Sequence, residues 1–305
     1  MPTTLAALGD GWTLLLLTAL VGGPRRFSTL ESALGVPRST LAARLRHMEE
    51  HGLVAREVYD ERPMRFEYAL TERGASLLPV LALADAFDVQ HGGAEAHLVH
   101  QPARGTAHPL RAEARCDACG KRVTARDVSV GYLDDQPLPA AGRGREPARA
   151  TRARSTRQPY RHARDVLEDA WAAKVVAALL MGERRFTRLQ HATQAAPNIL
   201  SERLTRLTDA GLVSHRAEGR DEGSPDYRLS DRGLALYPLV VALIAYGDAL
   251  RGRPSLTLTH ACGAPLVLRL GCGACPPRSS EATRLLQTSV SFAMQVEPCA
   301  TKTPT

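Results

Sequence analysis

Five of the six cysteines in this 305-residue chain fall into short clusters with histidines nearby. The later cluster reads His260-Ala261-Cys262-Gly263 and then Cys272-Gly273-Ala274-Cys275, two groups of nitrogen and sulfur donors nine residues apart. Donors of this kind can surround one tetrahedral zinc, so His260, Cys262, Cys272 and Cys275 form a first candidate set. Cys-x-x-Cys is also a redox motif, but no thioredoxin-like βαβ pattern surrounds it here. The earlier cluster is Cys116-Asp117-Ala118-Cys119-Gly120, with His100 and His108 upstream. Pro102 falls where the later cluster has Cys262, so a second zinc needs the different set His100, His108, Cys116 and Cys119. The alternative in both places is reduced thiols in a loop, and Cys299 stands alone. A zinc here would be structural, because catalysis needs an open coordination position with a base beside it, and no His-Glu-x-x-His motif or paired carboxylate supplies one. Nucleophile elbow, phosphate loop and dinucleotide fingerprint are all missing, which argues against an enzyme.

Arginine is the other residue type that could do chemistry, by holding phosphate. The formal charge is +7, but its distribution matters more than its size. Residues 1–95 carry 9 basic and 12 acidic side chains, whereas residues 96–165 carry 14 and 7. The excess is concentrated in DDQPLPAAGRGREPARATRARSTRQPYRHAR, where eight arginines fall between Arg143 and Arg164. Pro, Gly and Ala alternate with Arg there without an apolar period, so residues 134–164 read as a linker. It is either a solvated tether or a basic arm that follows phosphates or a minor groove.

The elements that position these residues come in two copies. At an offset of 159, positions 12–79 lie over 171–238 without a gap, and 21 of the 68 pairs are identical. Roughly four would match by chance. A unit of this size is a domain, so the chain is a duplication.

In the first copy, Trp12 to Val21 is an apolar helix. Ser28-Thr29-Leu30-Glu31 has the S-x-x-E form of a capping box opening a second helix, and Thr187-Arg188-Leu189-Gln190 repeats it in the other copy. A third helix runs from Arg38 to His51, with Leu41, Leu45 and Met48 on one buried stripe and Gly52 as its stop. Arg38, Ser39, Ala42, Ala43 and Arg46 lie off that stripe, where small residues beside Arg suit a major groove. Two strand-like runs follow, 53–58 and 65–70, joined by a turn at 59–64 whose Arg62 and Arg65 could touch sugar-phosphate. Thr71 then caps a helix through Phe87, apolar almost all round like its twin through Tyr246. Such helices suit a seam between the copies. Three helices and a hairpin define a winged helix-turn-helix domain; the alternative is a small helical domain without a ligand.

These segments resemble the HxlR-type winged helix-turn-helix regulators of the MarR-like group. The resemblance rests on Gly11-Trp12-Thr13-Leu14-Leu15, Gly23-Pro24-Arg25-Arg26-Phe27, Leu41-x-x-Arg44-Leu45, Gly52-Leu53-Val54, the run Pro63 to Thr71, Gly74, and Leu77-Leu78-Pro79. It spans most of residues 10–90 and, with a degraded wing at 221–225, residues 170–250. It implies dimer-like action on a pseudo-palindromic operator in duplex DNA, and a tandem chain looks like such a dimer made covalent. Redox-sensing members carry a cysteine before the Gly-x-Trp segment; neither copy does.

The expected fold is α+β, mainly helical. Residues 1–95 and 165–252 are winged helix-turn-helix domains, 96–133 and 253–278 are Cys/His tails of zinc-ribbon type, and 279–305 is an extension. The candidates for DNA contact are Arg26, Arg38, Ser39, Thr40, Arg44, Arg46, Arg62 and Arg65, with Arg185, Asn198, Ser201, Arg203 and Arg206 in the second copy. Glu202 replaces Ala43 and would repel phosphate unless it accepted from a cytosine, so the second copy could be mainly a pairing partner. The expected function is a cytoplasmic transcription regulator of repressor type, lacking a signal segment or an early apolar run of ~20 residues. Its effector is unspecified and further self-association is left open. The competing reading is a protein-docking module built on the same surfaces.

Overall fold

The computed structural model describes residues 11–92, 96–100, 106–132, 160, 162–216, 226–254 and 256–275. Copy one runs α1 (Gly11–Leu20), β1 (Arg25–Arg26), α2 (Phe27–Leu34), α3 (Arg38–Glu50), β2 (Val54–Glu61) and β3 (Met64–Leu70). The three strands form an antiparallel sheet in the order β1-β3-β2. Leu14 and Leu17 of α1, Leu30 of α2, and Leu41, Leu45 and Met48 of α3 meet in one fully buried core. Burying each stabilises the domain by about 1.5–3 kcal/mol before chain entropy is charged. The Leu41–Leu45–Met48 stripe therefore docks α3 and leaves its opposite face to solvent.

Copy two repeats the plan with α6 (Arg164–Leu167), α7 (Ala170–Leu180), α8 (Phe186–Thr193), α9 (Pro197–Asp209), β8 (Val213–Arg216) and β9 (Asp226–Leu229). A single bridge from Arg185 to Asp226 stands where copy one has β1. The degraded wing at 221–225 lies outside the described residues.

Local details depart from the sequence expectations. The capping boxes do not form: α2 and α8 already begin at Phe27 and Phe186, so Ser28 and Thr187 lie inside the first turn, and the caps Arg26 and Arg185 make no side-chain bond. The wing turn is also tighter than expected, because β2 and β3 extend to Glu61 and Met64 and leave Arg62-Pro63 between them. A register shift between Val58 and Asp60 absorbs the extra residue.

Each terminal helix is broken once: α4 (Glu72–Ala75) precedes α5 (Leu78–Gly92), and α10 (Asp231–Leu234) precedes α11 (Tyr237–Arg251). Pro79 and Pro238 have no N–H to continue the earlier turn but fit the start of a new helix. Thr71 and Ser230 cap α4 and α10 by accepting from the N–H of Gly74 and Gly233, each at 3.0 Å. Those glycines are obligatory, since a Cβ would lie 2.0 Å from the Leu53 carbonyl oxygen or 2.1 Å from that of Leu212.

Helices α5 and α11 pack on each other and join the copies. Phe87 and Leu83 are buried on one, and Leu239, Leu243 and Tyr246 on the other. The stretch 231–251 is apolar and long enough to cross a membrane by composition, yet most of it is buried inside the protein.

Residues 134–159 and Arg161 of the expected linker lie outside the described residues, but its end is not a tether. Tyr160 and Ala163 are fully buried, and Arg164 opens α6. The Tyr160 hydroxyl shares a 2.6 Å hydrogen bond with Thr18 of α1, so this segment belongs to the core between the copies.

The tails do not form two separate ribbons, which corrects the expected division into independent modules. The first holds β4 (Val99–His100), β5 (His108–Pro109), β6 (Ala112–Cys116) and β7 (Val128–Tyr132), and the second β10 (Leu256–His260) and β11 (Leu268–Cys272). Strand β6 pairs with β11 and β7 with β10, both antiparallel and both across the duplication. The Cys-x-x-Cys groups start at 116 and 272, an offset of 156. Ala114 and Leu270 correspond at that offset and pair with each other, so a local two-fold passes between them.

Candidate nucleic-acid interface and Cys/His clusters

Helix α3 presents Arg38, Ser39, Ala43 and Arg46 to solvent, with Thr40 half-buried. Arg38 is steadied by Glu31 at 3.2 Å and by the Phe27 ring, 5.1 Å from its guanidinium carbon. Arg62 and Arg65 are exposed at the tip of the wing, together with Met64 and Phe66. Arg26 is exposed and stacks 4.0 Å over Tyr59, which ties the start of α2 to the wing. Small residues and paired arginines on one helix, beside a basic hairpin tip, can enter a major groove and hold its rims.

Arg44 and Arg203 do not join that surface. Arg44 is half-buried on the side of α3 facing its own domain. Arg203, at the same place in α9, is buried, with its Nε 2.5 Å from Asp169 and Nη1 2.8 Å from Glu202. Asp169 also caps α7, accepting from the Trp171 and Ala172 N–H groups. Arg203 is therefore a brace inside copy two, a correction to its expected role.

The rest of α9 offers fewer cations. Asn198, Ser201, Glu202 and Thr205 are exposed, but the Arg206 guanidinium is held by Asp169 at 3.1 Å and Asp165 at 3.4 Å. Arg185 is exposed at the start of α8. Copy one thus presents a basic recognition face, and copy two a mixed one.

The expected donor sets are regrouped. His100, His108, Cys272 and Cys275 come together, as do Cys116, Cys119, His260 and Cys262, with every donor atom within 4.8 Å of the others in its group. All eight donors are those expected, yet neither tail closes a set by itself, because the β6–β11 and β7–β10 pairings carry each half-set to the other tail. In the first group the His100 Nδ1 to His108 Nε2 distance is 3.3 Å, and His108 Nε2 to Cys272 Sγ is 3.3 Å. In the second, Cys116 and Cys262 sulfurs are 3.9 Å apart and Cys119 lies 3.5 Å from His260 Nδ1. Both groups could hold a metal ion. Contact with His260 brings the Cys262 thiol down to about 6, and the hydrogen bond with Cys272 raises the His108 imidazole. Burial lowers His100, and the neighbouring His108 adds to this. Cys299 lies outside the described residues.

Two carboxylates escaped notice in the sequence. Asp85 and Asp88 are each 1% exposed on the otherwise apolar α5. Asp85 accepts from the His97 and Leu98 N–H groups, and Asp88 from those of His162 and Ala163. Burial raises the Asp88 carboxyl above its ordinary value, against the pull of those two N–H bonds.

Two helices set by an apolar stripe against a third, followed by a β-hairpin, define each copy as a winged helix-turn-helix domain. The sequence pattern of the HxlR-like helix-turn-helix family matches residues 7–93 and again 166–254. The chain belongs to that family. An uncharacterised HTH-type transcriptional regulator of Mycobacterium tuberculosis is 37% identical over 129 residues, covering 41% of this chain and 80% of the relative. Another from Synechocystis is 47% identical over 75 residues, covering 24% of this chain and 56% of its own. Among solved structures, the reduced form of the redox regulator HypR is 31% identical, covers 28% of this chain and 87% of its own, and superposes with a TM-score of 0.27.

Proposed function

We propose that the chain is a sequence-specific DNA-binding transcription regulator of the cytoplasm, in which the two copies act as a covalent pseudo-dimer and repress by occupying a promoter. The observation that carries this reading is the solvent face of α3, where Arg38, Ser39, Ala43 and Arg46 stand clear of the buried stripe beside the exposed Arg62 and Arg65. Phosphate contacts from the wing would set register, and the helix would reach base edges. Copy one is the main reader. Copy two adds Asn198, Ser201 and Arg185, with its remaining α9 cations engaged by carboxylates. Linking the units raises the effective concentration of the second without any new contact.

The mixed face of copy two supports one second reading, that this copy docks a protein or a second chain. A gel shift on the DNA upstream of the gene, against random duplex over a range of salt, separates the two. A regulator shifts its site at about 10 nM or tighter and resists competitor, and footprinting then counts half-sites. Weak binding that disappears at modest salt would remove specific reading and bring protein docking forward.

A further inference from the structure

We propose that this chain holds two structural zinc ions in crossed sites, each completed by two donors from the first tail and two from the second. One site is His100, His108, Cys272 and Cys275; the other is Cys116, Cys119, Cys262 and His260. The proposal does not depend on DNA binding.

The spacing of the donor atoms is that of a tetrahedron. With Zn–S of about 2.3 Å and Zn–N of about 2.05 Å, the edges are about 3.8 Å between sulfurs, 3.6 Å between sulfur and nitrogen, and 3.3 Å between nitrogens. The corresponding separations are 3.9 Å for Cys116–Cys262, 3.5 Å for Cys119–His260, 3.3 Å for His108–Cys272, 3.4 Å for His100–Cys275 and 3.3 Å for His100–His108. A disulfide needs about 2.05 Å, far below the 3.9 Å of the one cross-tail thiol pair.

Each group offers four protein donors in a mixed sulfur and nitrogen set, which is the closed coordination of structural zinc. The His108 Nδ1–H donates to the Thr106 carbonyl oxygen at 3.2 Å. That bond leaves the Nε2 lone pair directed at its group, the outer-shell support that metal-bound histidines have. The backbone is shaped for the same purpose: Gly120 N–H closes the Cys116 turn at 2.8 Å, Cys275 N–H returns to Cys272 at 3.1 Å, and Gly263 N–H returns to His260 at 2.8 Å.

Crossing gives the metals a role that two separate ribbons would lack. Each ion ties copy one to copy two, beside the β6–β11 and β7–β10 ladders and the α5–α11 seam. Together they fix the angle at which the two recognition helices are presented, and metal loss loosens that angle without dismantling either domain.

The full-length chain, purified without chelator, is expected to carry two zinc ions by elemental analysis. Metal-free wild-type protein, refusing zinc on titration, would overturn the proposal. The pairing is read by mapping cysteine alkylation in His108→Ala. Crossed sites make Cys272 and Cys275 reactive and keep Cys116, Cys119 and Cys262 protected; reactivity of Cys116 and Cys119 instead would mean that each tail closes its own site. Two double variants check this independently by stoichiometry. Crossed sites leave one zinc in Cys119→Ser/Cys262→Ser and none in Cys262→Ser/Cys272→Ser, and the reverse result sinks the crossing.

Discussion

Asp85 and Asp88 stand one turn apart on the same buried helix and hold opposite ends of the junction between the copies. Asp85 grips the chain as it leaves α5, through His97 and Leu98, and Asp88 grips it as it returns, through His162 and Ala163. Copy two has Ile244 and Gly247 at the matching positions, so α5 alone does this. Asp88→Ala leaves the two N–H groups without their acceptor, at a cost of about 1–3 kcal/mol for each buried donor. The expected result is a fall in Tm of several degrees. An unchanged melt would show that water replaces the carboxylate.

A second structural test concerns Arg203. Removing one partner of a buried ion pair costs about 3–5 kcal/mol because the other charge is left unpaired. The cost here falls toward the lower end, since Arg206 also reaches Asp169. Arg203→Ala is expected to destabilise copy two, seen as a lower Tm or an earlier first transition in calorimetry. Loss of operator affinity with an unaltered melt would return Arg203 to the DNA-contacting group.

The contrast is with copy one's exposed arginines. Arg38→Ala combined with Arg46→Ala removes two cations that carry no packing, so Tm is expected to hold. Operator affinity should fall by tenfold or more, and the slope of log K against log salt should shrink by about two if both contact phosphate, or less where one reads a base. Equal binding by the variant and wild type would take α3 out of the interface.

The legible parts of this architecture are those written locally. The Leu41–Leu45–Met48 stripe declares α3 through its helical period, and the 159-residue repeat declares the second copy. The Cys/His residues declare a possible metal by type. Which donors share a site was not legible, because it depends on the register of strands more than 150 residues apart: Cys116 opposes Leu268, and Cys272 opposes Ala112. No local pattern encodes that choice, and pairing each tail within itself was the simpler reading. Arg44 and Arg203 illustrate a related limit. Arginine on the helix that faces DNA has the same letter whether it reaches a phosphate or a carboxylate, and Asp169, 34 positions earlier, decides the matter for Arg203. Asp85 and Asp88 were hidden by an apolar background that dominated the reading of α5.

Lys174 gives a test with a pH signature. Its side chain is 1% exposed, with Nζ 3.4 Å from the Thr193 carbonyl oxygen and 4.9 Å from the Trp171 ring centre, and no carboxylate contacts it among the described residues. Burial brings its pKa down from 10.5 to about 8. The folded state therefore gives up its proton more readily than the unfolded chain. Between about pH 8 and 10.5 the unfolded state binds more protons, so this group's contribution to stability rises with pH there, and its penalty is constant below about 8. At about 1.4 kcal/mol per tenfold, the penalty has an upper bound of roughly 3 kcal/mol, reduced by whatever water reaches the ammonium. Copy one carries Leu15 at the matching position, so the domain accepts an apolar side chain there. Lys174→Leu is expected to raise Tm at pH 7, with the gain over wild type shrinking as pH climbs from 8 toward 10.5. Melting both proteins side by side across that range cancels every other titration. A difference in Tm that stays flat with pH would show that Lys174 keeps its ordinary proton affinity and reaches solvent.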